Sequence, residues 1–113
     1  MPQYLLSVWF VEGAPQPSEE EMAQSGKDVD ALNDELQKSG AWVFGGGLES
    51  EKASVVATDG TVTDGSYPEA IGGFWVVDVP SHDAALEWAA RTAVACRCAQ
   101  EVREFMPDPA VGN

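Results

Sequence analysis

Two hydrophobic rhythms run along the chain, one of period two and one close to 3.6. Residues 3–12, Gln-Tyr-Leu-Leu-Ser-Val-Trp-Phe-Val-Glu, are dense in β-branched and aromatic side chains and carry no breaker, which predicts a first strand. The stretch Gly13-Ala14-Pro15-Gln16-Pro17 ends it. Ser18 followed by Glu19, Glu20 and Glu21 reads as a capping box, with carboxylates where the helix dipole favours them. Met22, Val29, Leu32 and Leu36 then fall at helical spacing, predicting a helix of about twenty residues closed by Gly40. Gly26 inside it costs about 1 kcal/mol relative to alanine and marks a place for a kink or break.

Strand pattern returns at Ala41-Trp42-Val43-Phe44 and runs into Gly45-Gly46-Gly47, where the backbone can be approached closely. No Lys-Ser or Lys-Thr follows, so the glycines are not a phosphate loop. Lys52 to Thr58 predicts a strand, Asp59-Gly60 a type I′ hairpin turn, and Thr61-Val62-Thr63 the returning strand. A loop with Asp64, Gly65 and Pro68 leads to an apolar strand from Gly72 to Val79. Ser81 caps a second helix with Ala85, Trp88, Ala89 and Thr92 down one face. The last strand is expected at Ala99 to Phe105, which closes a single domain over residues 1–105, with 106–113 as a tail. This order fits an α+β, ferredoxin-like sandwich with an inserted hairpin and both helices on one face of the sheet.

Several strands are apolar on both sides. Tyr4, Leu6, Val8 and Phe10 alternate with Leu5, Trp9 and Val11; Phe74 and Val76 alternate with Trp75, Val77 and Val79. Two helices cover one face only. A homodimer that closes the uncovered face is therefore expected, since each large apolar side chain buried contributes about 1.5–3 kcal/mol.

Charge narrows the partners. Six Lys and Arg against 19 Asp and Glu give a formal net charge of −13 over 113 residues, a surface that repels phosphate backbones and anionic lipid. Neither nucleic acid nor membrane is expected as a partner. No apolar run approaches the roughly 20 residues of a spanning helix, and the Met1-Pro2-Gln3-Tyr4 start has no basic leader, so a cytoplasmic location is expected. Cys96 and Cys98 would point to opposite faces of an extended segment and read as reduced structural thiols. With His82 as the lone histidine, no metal site is expected, and no cofactor motif is present.

Four stretches together resemble the YCII-related proteins, in the branch named for an Asp-Gly-Pro-Phe motif. They are Tyr4-Leu5-Leu6, Thr63-Asp64-Gly65-Ser66-Tyr67-Pro68-Glu69, Gly72-Gly73-Phe74-Trp75-Val76-Val77-Asp78, and Ala84 to Arg91 with Glu101-Val102-Arg103. Ser66 and Tyr67 stand in place of the motif's Pro and Phe, the Lys-Glu that usually follows is missing, and the loop from Glu69 to Gly72 is about three residues short. The resemblance implies a ferredoxin-like fold that pairs as a dimeric α+β barrel. Some members of the branch sit near genes for extracytoplasmic-function sigma factors, which makes such a factor a candidate partner. The His-Asp dyad proposed for YCII-like members does not carry over, because His82 does not match its histidine.

Asp64 is the candidate general base, with Glu69 as a second carboxylate able to share its proton; Asp64-Gly65 also fits a simple turn. Tyr67 and Trp75 are candidate lining for a pocket, each apolar with one polar handle, although core or dimer packing suits them better. Arg103 shares a strand face with Glu101 and Phe105 and is a candidate for an anionic ligand or a salt bridge. Two functions are expected from these residues. One is a non-catalytic binding or regulatory module for an unknown small molecule. The other is an acid–base enzyme, of isomerase or lyase type, acting on a small anionic metabolite. The short motif loop and the absence of an aligned histidine favour the first.

Overall fold

The computed structural model describes residues 2–9, 17–49, 52–67 and 70–107. Phe10, Val11, Glu69 and the tail beyond 107 lie outside the described residues. The elements run β1 (Gln3–Trp9), α1 (Glu19–Ser39), β2 (Trp42–Gly47), β3 (Ser54–Val56), β4 (Val62–Asp64), β5 (Ile71–Asp78), α2 (His82–Cys96) and β6 (Ala99–Glu104). Four of the strands make an antiparallel sheet in the order β2-β5-β1-β6, and β3 with β4 forms a separate two-stranded ribbon. This is the ferredoxin-like order, with the hairpin inserted before β5.

The helix ends follow from their caps. Ser18 Oγ accepts the Glu21 amide at 3.1 Å, and Ser81 Oγ accepts the Ala84 amide at 3.1 Å. Gly40 closes α1 at φ +84°, as its sequence position predicts. Helix α1 passes through Gly26 unbroken. Helix α2 ends instead on Arg97, a non-glycine at φ +57°, so the Cys96-Arg97-Cys98 segment is a helix terminus. Its guanidinium donates to the Ala95 carbonyl at 2.6 Å and to Asp28 Oδ2 at 3.0 Å, which holds that conformation and ties α2 to α1. Both thiols are free and pack against the core.

The core lies between the helices and one sheet face. Tyr4, Leu6 and Val8 of β1 meet Trp75, Val77 and Val79 around β5, under Leu36 of α1 and Ala85 and Ala89 of α2. Leu6, Leu36, Val77 and Thr92 are fully buried. The Trp75 indole N–H donates to Asn33 Oδ1 at 2.7 Å, which satisfies its one donor inside the core. Met22 departs from the expected apolar face of α1: it is 60% exposed, at the helix start beyond the sheet.

Among the described residues no helix covers the opposite face. Register puts Leu5 and Trp9 of β1 there, beside Phe74 and Val76 of β5 and Arg103 and Glu101 of β6. A register shift between Trp42 and Phe44 turns Phe44 to this side, where its ring meets Phe74 at 5.9 Å. Leu5, Trp9, Phe74 and Val76 are half-buried and Phe44 is 60% exposed. The Trp9 indole lies along the strand and donates to Ser7 Oγ at 2.9 Å, which buries that hydroxyl.

The glycine run belongs to β2, against the expectation that the strand ends at Phe44. A Cβ on Gly73 would come within 2.8 Å of the Gly46 carbonyl oxygen, so β2 and β5 approach at a distance that only glycine permits here.

Candidate functional site

The hairpin that carries the candidate loop is built from short-range turn chemistry. Ala57 N–H donates to Thr61 O and Gly60 N–H to Ala57 O, both at 2.8 Å, and Asp59 Oδ1 accepts the Thr61 amide at 2.9 Å. Within the turn only Gly60 has a positive φ, +89°. The connection is therefore a three-residue turn with a left-handed glycine, not the type I′ turn expected, which needs positive φ at both central residues. Hydrogen bonds from Thr61 hold the Asp59 carboxyl below its usual range.

Where the ribbon meets the large sheet, a cavity of about 630 Å³ opens. Leu48 and Glu49 line it from the end of β2, Ala53, Ser54 and Val55 from β3, Ser66 and Tyr67 from the loop after β4, and Ala70, Ile71 and Gly72 from the start of β5. Two backbone bonds fix this corner: Leu48 N–H to Gly72 O and Gly65 N–H to Ala53 O, each 2.9 Å. The bend that sends the chain from β4 towards Tyr67 is made at Gly65, where φ is +109°. The volume falls in the range of small-molecule sites.

Of the candidate residues, Tyr67 is brought to this cavity, with its side chain 67% exposed. Trp75 is not; it is 6% exposed within the helix-side core, and strand alternation accounts for the difference. Asp64 ends β4 opposite Ser54, exposed, and its carboxylate has no hydrogen-bond or ion-pair partner among the described residues. It does not cap the turn that Gly65 makes. Glu69 lies outside the described residues, so the pairing of Asp64 with Glu69 is not described. Arg103 sits opposite Leu5 on the open face, while Ile71 at the cavity sits opposite Trp9. Four residues of strand, about 13 Å, separate these positions. Arg103 makes no ion pair with Glu101 or with any other described residue.

Leu48, Glu49, Val55 and Ile71 were not legible as site residues. Only the register of β2 on β5, and the return of the hairpin over it, gathers them.

A second hollow of about 500 Å³ lies between the helices, lined by Ala31, Leu32, Ala90, Val94 and Ala95 and flanked by the Arg91–Glu35 pair. Elsewhere, Tyr4 donates to Glu104 Oε1 at 3.1 Å, and its ring meets His82 edge-on at 5.8 Å. Burial first, and then the Glu104 carboxylate, push the Tyr4 phenol above its usual range. His82 is thus an exposed helix-start residue with one aromatic neighbour. Burial, with Cys96 beside it, raises the Cys98 thiol, which disfavours the reactive thiolate.

Among the described residues no three His, Cys, Asp or Glu gather closely enough to hold a metal ion, and no helix is long and apolar enough to cross a membrane. No curated protein matches the chain. A sequence model of the YCII-related domain matches residues 6–107, from the second half of β1 past the end of β6, and the chain therefore belongs to the YCII-related domain family.

Proposed function

We propose that the protein is a small-molecule-binding module that works as a homodimer, with the hairpin cavity as its ligand site. The observation that carries the reading is the cavity itself: about 630 Å³, walled by Leu48, Val55 and Ile71, with the Tyr67 hydroxyl as a polar handle. That combination of apolar walls and few polar groups is typical of ligand sites. The segment Asp64-Gly65-Ser66-Tyr67 acts as the counterpart of the Asp-Gly-Pro-Phe motif and supplies two of the lining residues.

The dimer forms through the open sheet face, giving an α+β barrel. Support comes from Leu5, Trp9, Phe74 and Val76, half-buried without a second layer, and from exposed Phe44. Such a patch is characteristic of interfaces. Arg103 lies at its margin and is available to an anion or to a carboxylate of the second subunit.

A screen of metabolites by thermal shift, on the wild type and on Asp64→Asn, tests the binding reading. The expected result is a compound that stabilises both proteins alike without being consumed. A compound converted by the wild type and not by Asp64→Asn overturns it in favour of the acid–base enzyme. Light scattering tests the dimer: a particle of one 12.0 kDa chain across micromolar concentrations overturns it. Association with a sigma factor rests on the family resemblance alone and is checked by co-purification of the tagged protein with a named candidate.

A further inference from the structure

The cavity is specific about charge. Among its described lining residues Glu49 is the one ionisable side chain other than Tyr67, and there is no Lys, Arg or His. The chain around it carries a formal charge of −13. Arg103, the cation on which an anionic ligand would depend, sits opposite Leu5, four residues along β1 from the Trp9–Ile71 pair at the cavity. Resting on the reading of this cavity as the ligand site, we propose that it takes an organic cation: an ammonium group on an apolar body.

Each part of such a ligand has a counterpart. The ammonium group meets the Glu49 carboxylate and the face of the Tyr67 ring, which carries negative charge density. Its N–H donors find the hydroxyl oxygens of Ser54 and Ser66. The apolar body lies against Leu48, Val55 and Ile71. Leu48 is 47% exposed and Tyr67 67% exposed, so an occupant removes from water two large side chains that the fold leaves open. A carboxylate of the same shape gains the apolar contact but brings a like charge to Glu49, inside a field of the same sign. A neutral analogue gains the apolar contact alone.

Three probes of one shape separate these cases: 2-phenylethylamine, 2-phenylethanol and 3-phenylpropanoate, titrated at pH 7 and low salt by calorimetry. The expected Kd for the amine is about tenfold below that of the alcohol, with the carboxylate weakest. Glu49→Gln should bring the amine to the level of the alcohol and leave the alcohol unchanged. Tyr67→Leu should weaken the amine more than the alcohol, with circular dichroism confirming that both variants fold. Equal binding of all three probes, or an amine affinity untouched by Glu49→Gln, overturns the cation assignment while the cavity remains a ligand site. Failure of every probe to bind overturns both.

Discussion

The two faces of one sheet are made from the same kinds of side chain and end in different states. On the helix side, Leu6 and Val77 lose all exposure beneath Leu36 and the small residues Ala85 and Ala89. On the other, Leu5, Trp9, Phe74 and Val76 stay half-buried and Phe44 mostly open. Hydrophobicity does not separate the faces. What separates them is a partner of the right size: alanines on α2 let the helix sit close, so the bulky sheet residues complete the packing. The open face has bulk and, among the described residues, no layer to meet it.

Three substitutions sharpen that contrast. Leu6→Ala, at a fully buried position, should cost about 2–5 kcal/mol in denaturant unfolding, the range for cavities that relax poorly. A loss below about 1 kcal/mol would mean that the core is looser than its burial indicates. Gly73→Ala should cost about 1–3 kcal/mol, because its Cβ meets the Gly46 carbonyl at 2.8 Å and must push β2 away. Loss of amide protection confined to β2 in hydrogen exchange is the matching signature. Phe44→Ser on the open face should change the stability of the dilute protein by no more than about 0.5 kcal/mol. It should nevertheless remove the concentration dependence of the melting temperature, and a wild type without such dependence argues against the dimer.

The smallest effect is one of pH, in the hairpin. The folded carboxyl of Asp59 titrates below its unfolded value, so its bond to Thr61 contributes fully above about pH 4. The contribution fades as pH falls through the lowered folded value. Carbon-detected NMR of the Asp59 carboxyl should show the depressed midpoint, and Asp59→Ala should remove the acid response of the Thr61 amide. The Tyr4 phenol runs the other way: raised in the fold, its contribution is complete below about pH 10 and disappears as pH climbs through the folded value.

Much of the fold was legible because local signals agreed with tertiary ones. Ser18, Gly40 and Ser81 cap helices where their sequence positions say they should, and alternation in β1 and β5 assigns the faces correctly. The misses have physical causes. Glycines usually interrupt strands, but Gly45 to Gly47 continue β2 because two backbones meet closely there. A left-handed cap is ordinarily glycine, and Arg97 holds the same geometry through its own guanidinium. Met22 has helical spacing, yet α1 starts beyond the edge of the core.

For the site, Tyr67 was legible as a lining residue in a turn-rich loop. Of the two readings open for Trp75, core packing holds, as its same-face neighbour Val77 indicates, and the distance of Arg103 from the cavity needs the strand register. Glu49 carries no motif. Its place at the cavity follows from where β2 ends, which depends on the pairing with β5.

The order β2-β5-β1-β6 leaves two strands at the rims of the sheet, and they are guarded by different means. Rim strand β6 presents Glu101, Arg103 and Glu104, whose charges discourage a stranger from zipping on. Rim strand β2 has only the irregular pairing at Val43 and a run without side chains. Its remaining defence is the overall negative charge, which acidification neutralises. Fibril growth in mild acid should therefore begin at β2, and a lysine at Gly46, where a Cβ meets nothing within 4 Å, should delay it.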